Sequence, residues 1–382
     1  MDAIKASVLE KLIRELCPEG VEYRELSELF KTKNGYTPSK GNKEFWENGN
    51  IPWFRMDDIR QNGGILSHAL QNVTEKAVKG ELFPENSLIV ATTATIGEHA
   101  LITVPSLANQ QFTCLSLKEE YKNQFVIKFL YYYCFKLDEY CKKNLNQGSL
   151  ASVDRGKFSK FKFPLPPLPI QQEIVRILDT FTNLTAELTA RRKQYEYYRD
   201  ELLTFGEDVP RMTLKDISVS VSSGKNKEKE QEGMYPVYGS TGVIGRTNTA
   251  KYSKEQILVA RVGANAGFVH KANGTYDVSD NTIIVELKGN YNLQYVYYIL
   301  QKMNLRKYAK GGGQPLVTAG ELKKIEIPIP DINEQDRVVS ILDKFTGIST
   351  SFDSGLPAEI AARQKQYEYY RERLLSFKES HR

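Results

Sequence analysis

The sequence predicts an α+β (mixed α/β) chain. Two pseudo-twofold-related globular domains are joined by two long helices that form an antiparallel coiled coil. Three observations carry this prediction: an internal duplication, a heptad-spaced tail after each copy, and short β-type runs between turn signals inside each copy. The length of 382 residues allows two or three domains; the duplication selects two.

The duplication is clearest at the ends of the copies. Gln194-Tyr195-Glu196-Tyr197-Tyr198-Arg199 recurs as Gln366-Tyr367-Glu368-Tyr369-Tyr370-Arg371, each followed two residues later by Leu-Leu. Phe163-Pro164-Leu165-Pro166 matches Ile327-Pro328-Ile329-Pro330, and Ile177-Leu178-Asp179 matches Ile341-Leu342-Asp343. Within the copies, Leu88–Ala91 corresponds to Ile257–Ala260, and Gly49–Phe54 to Gly233–Tyr238. Two copies are too few for a solenoid, so the pattern reads as a fused pseudo-dimer.

The elements follow in order. Residues 1–20 are expected to form an N-terminal helix. The first globular domain spans 21–162, with strands at Leu88–Thr92 and Phe112–Leu117 and a helix over Asn123–Tyr140. The first spacer helix occupies 163–206. Its apolar stripe at Ile170, Ile174, Ile177, Phe181, Leu184, Leu188, Tyr195, Tyr198, Leu202 and Phe205 runs in 4-3 steps, interrupted at Arg191. Prolines precede it and Gly206 is the expected C-cap. At ~1.5 Å per residue it is a rod of roughly 50 Å. The second domain, 207–326, repeats the pattern with strands at Ile257–Arg261 and Thr282–Leu287 and a helix over Asn292–Tyr308. The second spacer helix, 327–382, repeats the stripe, with an expected break or kink at Asp353–Pro357. The tyrosines of the stripe read as packing between helices, with base stacking the sharper alternative.

Composition excludes several classes. Hydrophobic residues make up 41% and charged residues 26%, which excludes global disorder. No apolar run approaches the ~20 residues of a membrane helix. Met1–Glu10 lacks an apolar signal core, so the expected compartment is the cytoplasm. The net charge of +5 is too small to imply a polyanionic partner alone. Cys17, Cys114, Cys134 and Cys141 form no CxxC pair, and His68, His99, His270 and His381 are scattered, which argues against zinc and disulfide frameworks.

No catalytic constellation stands out. There is no P-loop, no dinucleotide fingerprint and no Asn-Pro-Pro-aromatic motif for amino methylation. Asp280, Glu286 and Lys288 loosely resemble a metal-dependent nuclease core, which would need carboxylates on Mg²⁺ and a lysine near the attacking water. The first copy has Gln110, Ser116 and Lys118 instead, so the fold does not depend on those groups. An alternating strand with a solvent face explains them as well. A coiled-coil scaffold without nucleic-acid binding is the other alternative.

The loops are rich in Lys, Arg, Asn, Gln, Ser and Gly, residue types that contact phosphates and base edges. Two such modules on a spacer suit a duplex target with two half-sites, and their different loops imply different half-sites. The candidate DNA-contacting residues in the first domain are Lys40, Lys43, Arg55, Thr92, Thr93, Asn146, Gln147 and Ser149. In the second they are Lys225, Lys227, Tyr238, Ser240, Thr241, Arg261, Lys310 and Gln314. Arg261, ending a strand beside a Gly-rich turn, is the strongest, since arginine pairs bidentately with guanine.

Four matched segments then resemble one family over nearly the whole chain. They are Gly35-x-Thr37-Pro38-Ser39 with Asn50-Ile51-Pro52-Trp53; Gly233-x-Tyr235-Pro236-Val237-Tyr238-Gly239; Ile257–Arg261 with Gly263-Ala264-x-Ala266-Gly267; and the Pro-rich segments with Gln172 or Gln335 before each spacer helix. In these the chain resembles the specificity subunits of type I restriction–modification systems. The resemblance implies a non-catalytic subunit with two target-recognition domains, each reading half of an asymmetric double-stranded DNA site. The helices would act as a ruler and dock two methyltransferase subunits. Motor-nuclease subunits would complete the complex. No cofactor is expected on this chain; S-adenosylmethionine, ATP and Mg²⁺ belong to the partners.

Overall fold

The computed structural model describes residues 2–146, 151–227, 232–311, 315–347 and 355–380. The chain divides into two compact units. One comprises Met1–Ala186 with Ala361–Arg382, the other Glu187–Ile360. The expected mixed architecture, two domains joined by helices, is present.

In the first unit a five-stranded sheet has the order Phe30–Asn34, Phe112–Leu117, Ser87–Ala91, His99–Ile102, Ile65–Leu66. All its pairs are antiparallel except the last. The strand Ser87–Ala91 is buried on both faces, which explains its unbroken apolar run. Alternate residues serve two cores. Leu88 and Val90 pack with Leu101, Leu115 and the helix Ile127–Lys143. Ile89 and Ala91 pack on the other side with Phe54, Phe83 and Phe112. Below that face lies a three-stranded sheet, Asn72–Val73, Ile51–Phe54 and Leu107–Ala108. The antiparallel pair Glu22–Glu25 and Lys162–Leu165 closes the unit, and the C-terminal segment joins it through Val21 and Ser380.

The second unit repeats this plan. Its four-stranded antiparallel sheet runs Ser218–Ser223, Thr282–Leu287, Gln256–Ala260, Val269–Ala272. Ile257 and Val259 face the helix Leu293–Lys302, while Leu258 faces Tyr276 and Val278. The small sheet is Gly242–Thr247, Tyr235–Gly239, Asp277–Val278. Arg211–Thr213 pairs with Glu326–Pro328.

The short parallel pairs repeat residue for residue. Trp53 and Phe54 pair in parallel with Leu107 and Ala108, as Val237 and Tyr238 do with Asp277 and Val278. The sequence pattern gives no sign of these short parallel pairs. They join segments about 40 to 55 residues apart, and no local pattern marks them.

The helices differ from expectation at their ends. The first spacer helix runs Leu168–Leu202 and stops before Gly206. Leu203 and Phe205 leave it for the second core, where Phe205 meets Tyr295 edge-on at 6.3 Å. The second domain's helix ends at Lys302, and a separate 3₁₀ turn Leu305–Tyr308 follows a left-handed Asn304 (φ 48°). The second spacer is described as Ile332–Gly347 and Gly355–Leu374. The expected break at Asp353–Pro357 begins outside the described residues.

The tyrosine stripe packs as expected at Tyr195, Tyr367 and Tyr370, while Tyr198 is 37% exposed. Tyr195 is buried in the second unit's core, and Tyr370 stacks on Phe181 at 5.4 Å in the first. Tyr197 and Tyr369, which lie off the stripe, are exposed.

Candidate nucleic-acid interface

Each domain presents the same crossing of chain segments beside the last large-sheet strand. Gly35 and Gly224 donate their N–H to Phe112 and Thr282 carbonyls at 2.8 and 2.9 Å. A Cβ at Gly35 would lie 2.1 Å from the Asn109 carbonyl, and at Gly224 2.3 Å from that of Val278. Only glycine allows this approach.

Next comes a tight turn, Asn109–Gln111 in one domain and Ser279–Asn281 in the other. Its first side chain accepts the N–H of the third residue: Gln111 to Asn109 at 3.1 Å, Asn281 to Ser279 at 3.3 Å. Asx and Ser turns of this kind fix the backbone. The third residue's carbonyl then accepts the N–H of Thr92 or Arg261, both at 2.9 Å. Thr92 and Arg261 accept in turn from Val153 and Val317 at 2.9 and 2.8 Å. The two domains thus share a backbone frame and differ in what projects from it.

In the first domain two clefts meet at Gln110. One, of about 590 Å³, is lined by Lys40, Lys43 and Arg55 with Trp46, Trp53 and Gln71. The Arg55 guanidinium lies over the Trp53 ring at 5.6 Å. The other, of about 790 Å³, is lined by Thr92, Thr93 and Asn146 with Thr113, Ser152 and Arg155. Six of the candidate residues therefore converge on two adjoining clefts. Lys40 and Lys43 are exposed, as phosphate contacts require. Thr92 and Asn146 have internal work: Thr92 shares a 2.8 Å hydrogen bond with Thr113, and the Asn146 amide donates to Ser152 and to the Val153 carbonyl at 3.3 Å. Gln147 and Ser149 lie outside the described residues.

In the second domain the candidates form a looser set. Lys225 and Lys227 are exposed and flank buried Asn226, which donates to Asp277 at 2.8 Å. Arg261 donates through Nη1 to the Asp280 carbonyl at 3.2 Å, and Ser240 donates to that of Asn281 at 2.9 Å. Both therefore touch the shared turn. Thr241 is exposed next to it. Tyr238 stacks on His270, and Phe268 stacks on the same ring. Burial pushes the His270 imidazole down to about 4. Lys310 makes a 2.6 Å ion pair with Glu321, which holds it to its own domain. Gln314 lies outside the described residues.

The nuclease-like trio is not assembled as a site. Glu286 accepts from Ser220 at 3.2 Å across the sheet, Lys288 donates to the Asp216 carbonyl, and Asp280 sits at the exposed turn tip. Among the described residues no three His, Cys, Asp or Glu side chains are placed to share a metal. The four cysteines are buried thiols, and no described helix is long and apolar enough to cross a membrane.

One correction concerns the glutamine before each spacer helix. The partner of Gln335 is Gln171, not Gln172. Gln171 is buried and donates to the Pro166 carbonyl at 2.8 Å, whereas Gln172 faces solvent. The residues missed by sequence reading are Gln110, Trp46, Trp53 and Arg155. Gln110 had a signal, since it aligns with Asp280 in the duplication.

Comparison with known proteins agrees with this architecture. The model of the type I restriction modification DNA specificity domain matches residues 18–195 and again 207–362. The EcoprrI specificity subunit of Escherichia coli is 46% identical over 371 residues, covering 90% of this chain and 92% of that one. The EcoR124I/EcoR124II specificity subunit of Escherichia coli is 34% identical, covering 67% and 72%. A putative specificity subunit of Haemophilus influenzae is 31% identical, covering 97% and 98%. The crystal structure of an S subunit from M. genitalium shares the fold, with a TM-score of 0.63 at 16% identity over 93% of this chain and 95% of that one. The chain belongs to the type I restriction–modification DNA specificity family, as a non-catalytic specificity subunit carrying that family's domain twice.

Proposed function

We propose that residues 21–162 and 207–326 are target-recognition domains, each reading one half of a bipartite, asymmetric duplex site. The spacer segments 163–206 and 327–382 set the distance between half-sites and dock two methyltransferase subunits. Motor-nuclease subunits join that complex in the cytoplasm. S-adenosylmethionine, ATP and Mg²⁺ are held by those partners.

One observation carries the reading: a common backbone frame displays different side chains at matched positions, Thr92 against Arg261 and Gln110 against Asp280. Such a frame supports two readers of different sequence. The sixteen residues named above are the proposed DNA contacts, with lysines on phosphates (Lys310 by exchanging its exposed ion pair with Glu321) and Arg261 on a base edge.

The test adds the system's methyltransferase subunit to the purified chain. Sequence-specific methylation by the pair, with neither methylation nor cleavage by the chain alone, is expected. Activity from the chain alone would overturn the proposal. Duplex affinity should also fall steeply with salt, as counterion release demands.

A further inference from the structure

The matched turn tips, Gln110 and Asp280, are not among the proposed contacts, yet the fold gives them one place. The strands that lead into the turns pair identically with their neighbours. The backbone after the tip is held by the same bond, Phe112 N–H to Asn109 O and Thr282 N–H to Ser279 O, both at 3.2 Å. The residue before the tip donates its N–H to the carbonyl of Phe54 or Tyr238 at 3.0 and 2.8 Å. Both tips are exposed.

Each tip is also tied to its neighbours. The Gln110 carbonyl accepts from Thr93, and its side-chain oxygen accepts from Thr37, which orients the amide. The Asp280 carbonyl accepts from Arg261. Pinned backbones place these side chains before binding, and the Thr37 hydrogen bond already orders the Gln110 amide, which lowers the freedom lost on readout.

We propose that Gln110 and Asp280 are equivalent base-reading residues, Gln110 selecting adenine in one half-site and Asp280 selecting cytosine in the other. The inference rests on the domains being DNA readers. A glutamine amide sets an NH₂ donor group beside a carbonyl acceptor, matching N7 and N6 of adenine. A carboxylate only accepts, so it pairs with the N4 amino group of cytosine. It is repelled by the acceptors of guanine and thymine, so it discriminates by rejection as well as attraction. A carboxylate facing a polyanion is otherwise unfavourable. The guanidinium of Arg261, hydrogen-bonded to the Asp280 carbonyl, brings positive charge beside the turn and can engage a base or phosphate there.

The experiment uses the complete complex and near-isosteric exchanges, Asp280→Asn and Gln110→Glu. Methylated sites are mapped in a host carrying all subunits with the wild-type or variant chain. Asp280→Asn is expected to move one base pair of one half-site from cytosine toward adenine, and Gln110→Glu the reverse in the other half. The preference should change roughly 5- to 150-fold. Both variants keeping the wild-type recognition sequence would overturn the inference and leave the DNA-reading function standing. A wild-type complex that methylates without sequence preference would overturn both. If a variant complex does not methylate, selection of duplexes from a random pool by that complex reads the preference directly, and thermal melting of the chain confirms its fold.

Discussion

Gln171 and Gln335 make the same clamp in the two halves of the chain. Each donates its side-chain amide at 2.8 Å to a proline carbonyl five residues earlier, Pro166 or Pro330. Each accepts a backbone N–H at the start of its domain's helix, Val126 at 2.8 Å or Asn292 at 3.0 Å. Both are buried, so the clamp fixes the spacer helix to the domain through groups that cannot turn to water. Gln335→Ala leaves a buried carbonyl and a partly buried N–H unpaired. It should cost roughly 2–4 kcal/mol, read by urea unfolding. Gln172→Ala, on the solvent face, should cost less than about 0.5 kcal/mol.

His270 makes the fold sensitive to acid. Neither ring nitrogen has a hydrogen-bond partner in the structure, and both are buried. Burial holds the imidazole near 4, below its ordinary value of about 6.5. The unfolded chain therefore takes up the proton first as pH falls. The stability from keeping His270 neutral is complete above about 6.5 and lost progressively toward 4, amounting to about 3 kcal/mol. His270→Phe keeps the stacks with Tyr238 and Phe268. It should flatten the unfolding free energy between pH 7 and 4.5, and it should stabilise at pH 7 by removing unpaired polar atoms. An unchanged pH slope would contradict this account.

The tyrosine repeat separates packing from display. Tyr195 is 2% exposed and Tyr197 is 65% exposed, one residue apart from each other across Glu196. Tyr195→Ala should destabilise by roughly 3–5 kcal/mol, by analogy with other buried aromatics. Tyr197→Ala should leave unfolding nearly unchanged. The exchange Phe181→Leu with Tyr370→Leu, run as a double-mutant cycle, should return a coupling of about 0.5–1.5 kcal/mol for the 5.4 Å stack.

Much of this fold was legible because it is written twice. The strands at Phe112–Leu117 and Thr282–Leu287 fall where the apolar runs place them. Their two-sided burial turns alternation into continuity, which is itself a signal. The parallel pairing of Phe54 with Ala108 was not legible, since it depends on loop closure rather than local period. The interface was half legible. Lysines in loops advertise themselves by charge, but Gln110 is a lone polar residue on a turn and carries no periodicity. Only its alignment with Asp280, given meaning by the shared turn, distinguishes it. Lys310 shows the opposite case: a loop cation by sequence, it is paired with Glu321 once the chain folds.

The glycine crossings test whether the frame itself is needed. Gly224→Ala would place a methyl 2.3 Å from the Val278 carbonyl and 2.4 Å from that of Ser279, both backbone atoms that cannot swing aside. The strand end must move, and with it the turn that carries Asp280. The expected result is local: lost preference in one half of the DNA site, with the other half still read. Gly274→Ala is the control, because a methyl there meets open space and only its left-handed φ of 78° is disturbed. It should cost about 1 kcal/mol in stability, read by thermal melting, and leave the recognition sequence intact. Equal loss of recognition in both glycine variants would place the reading surface away from the Ser279–Asn281 turn.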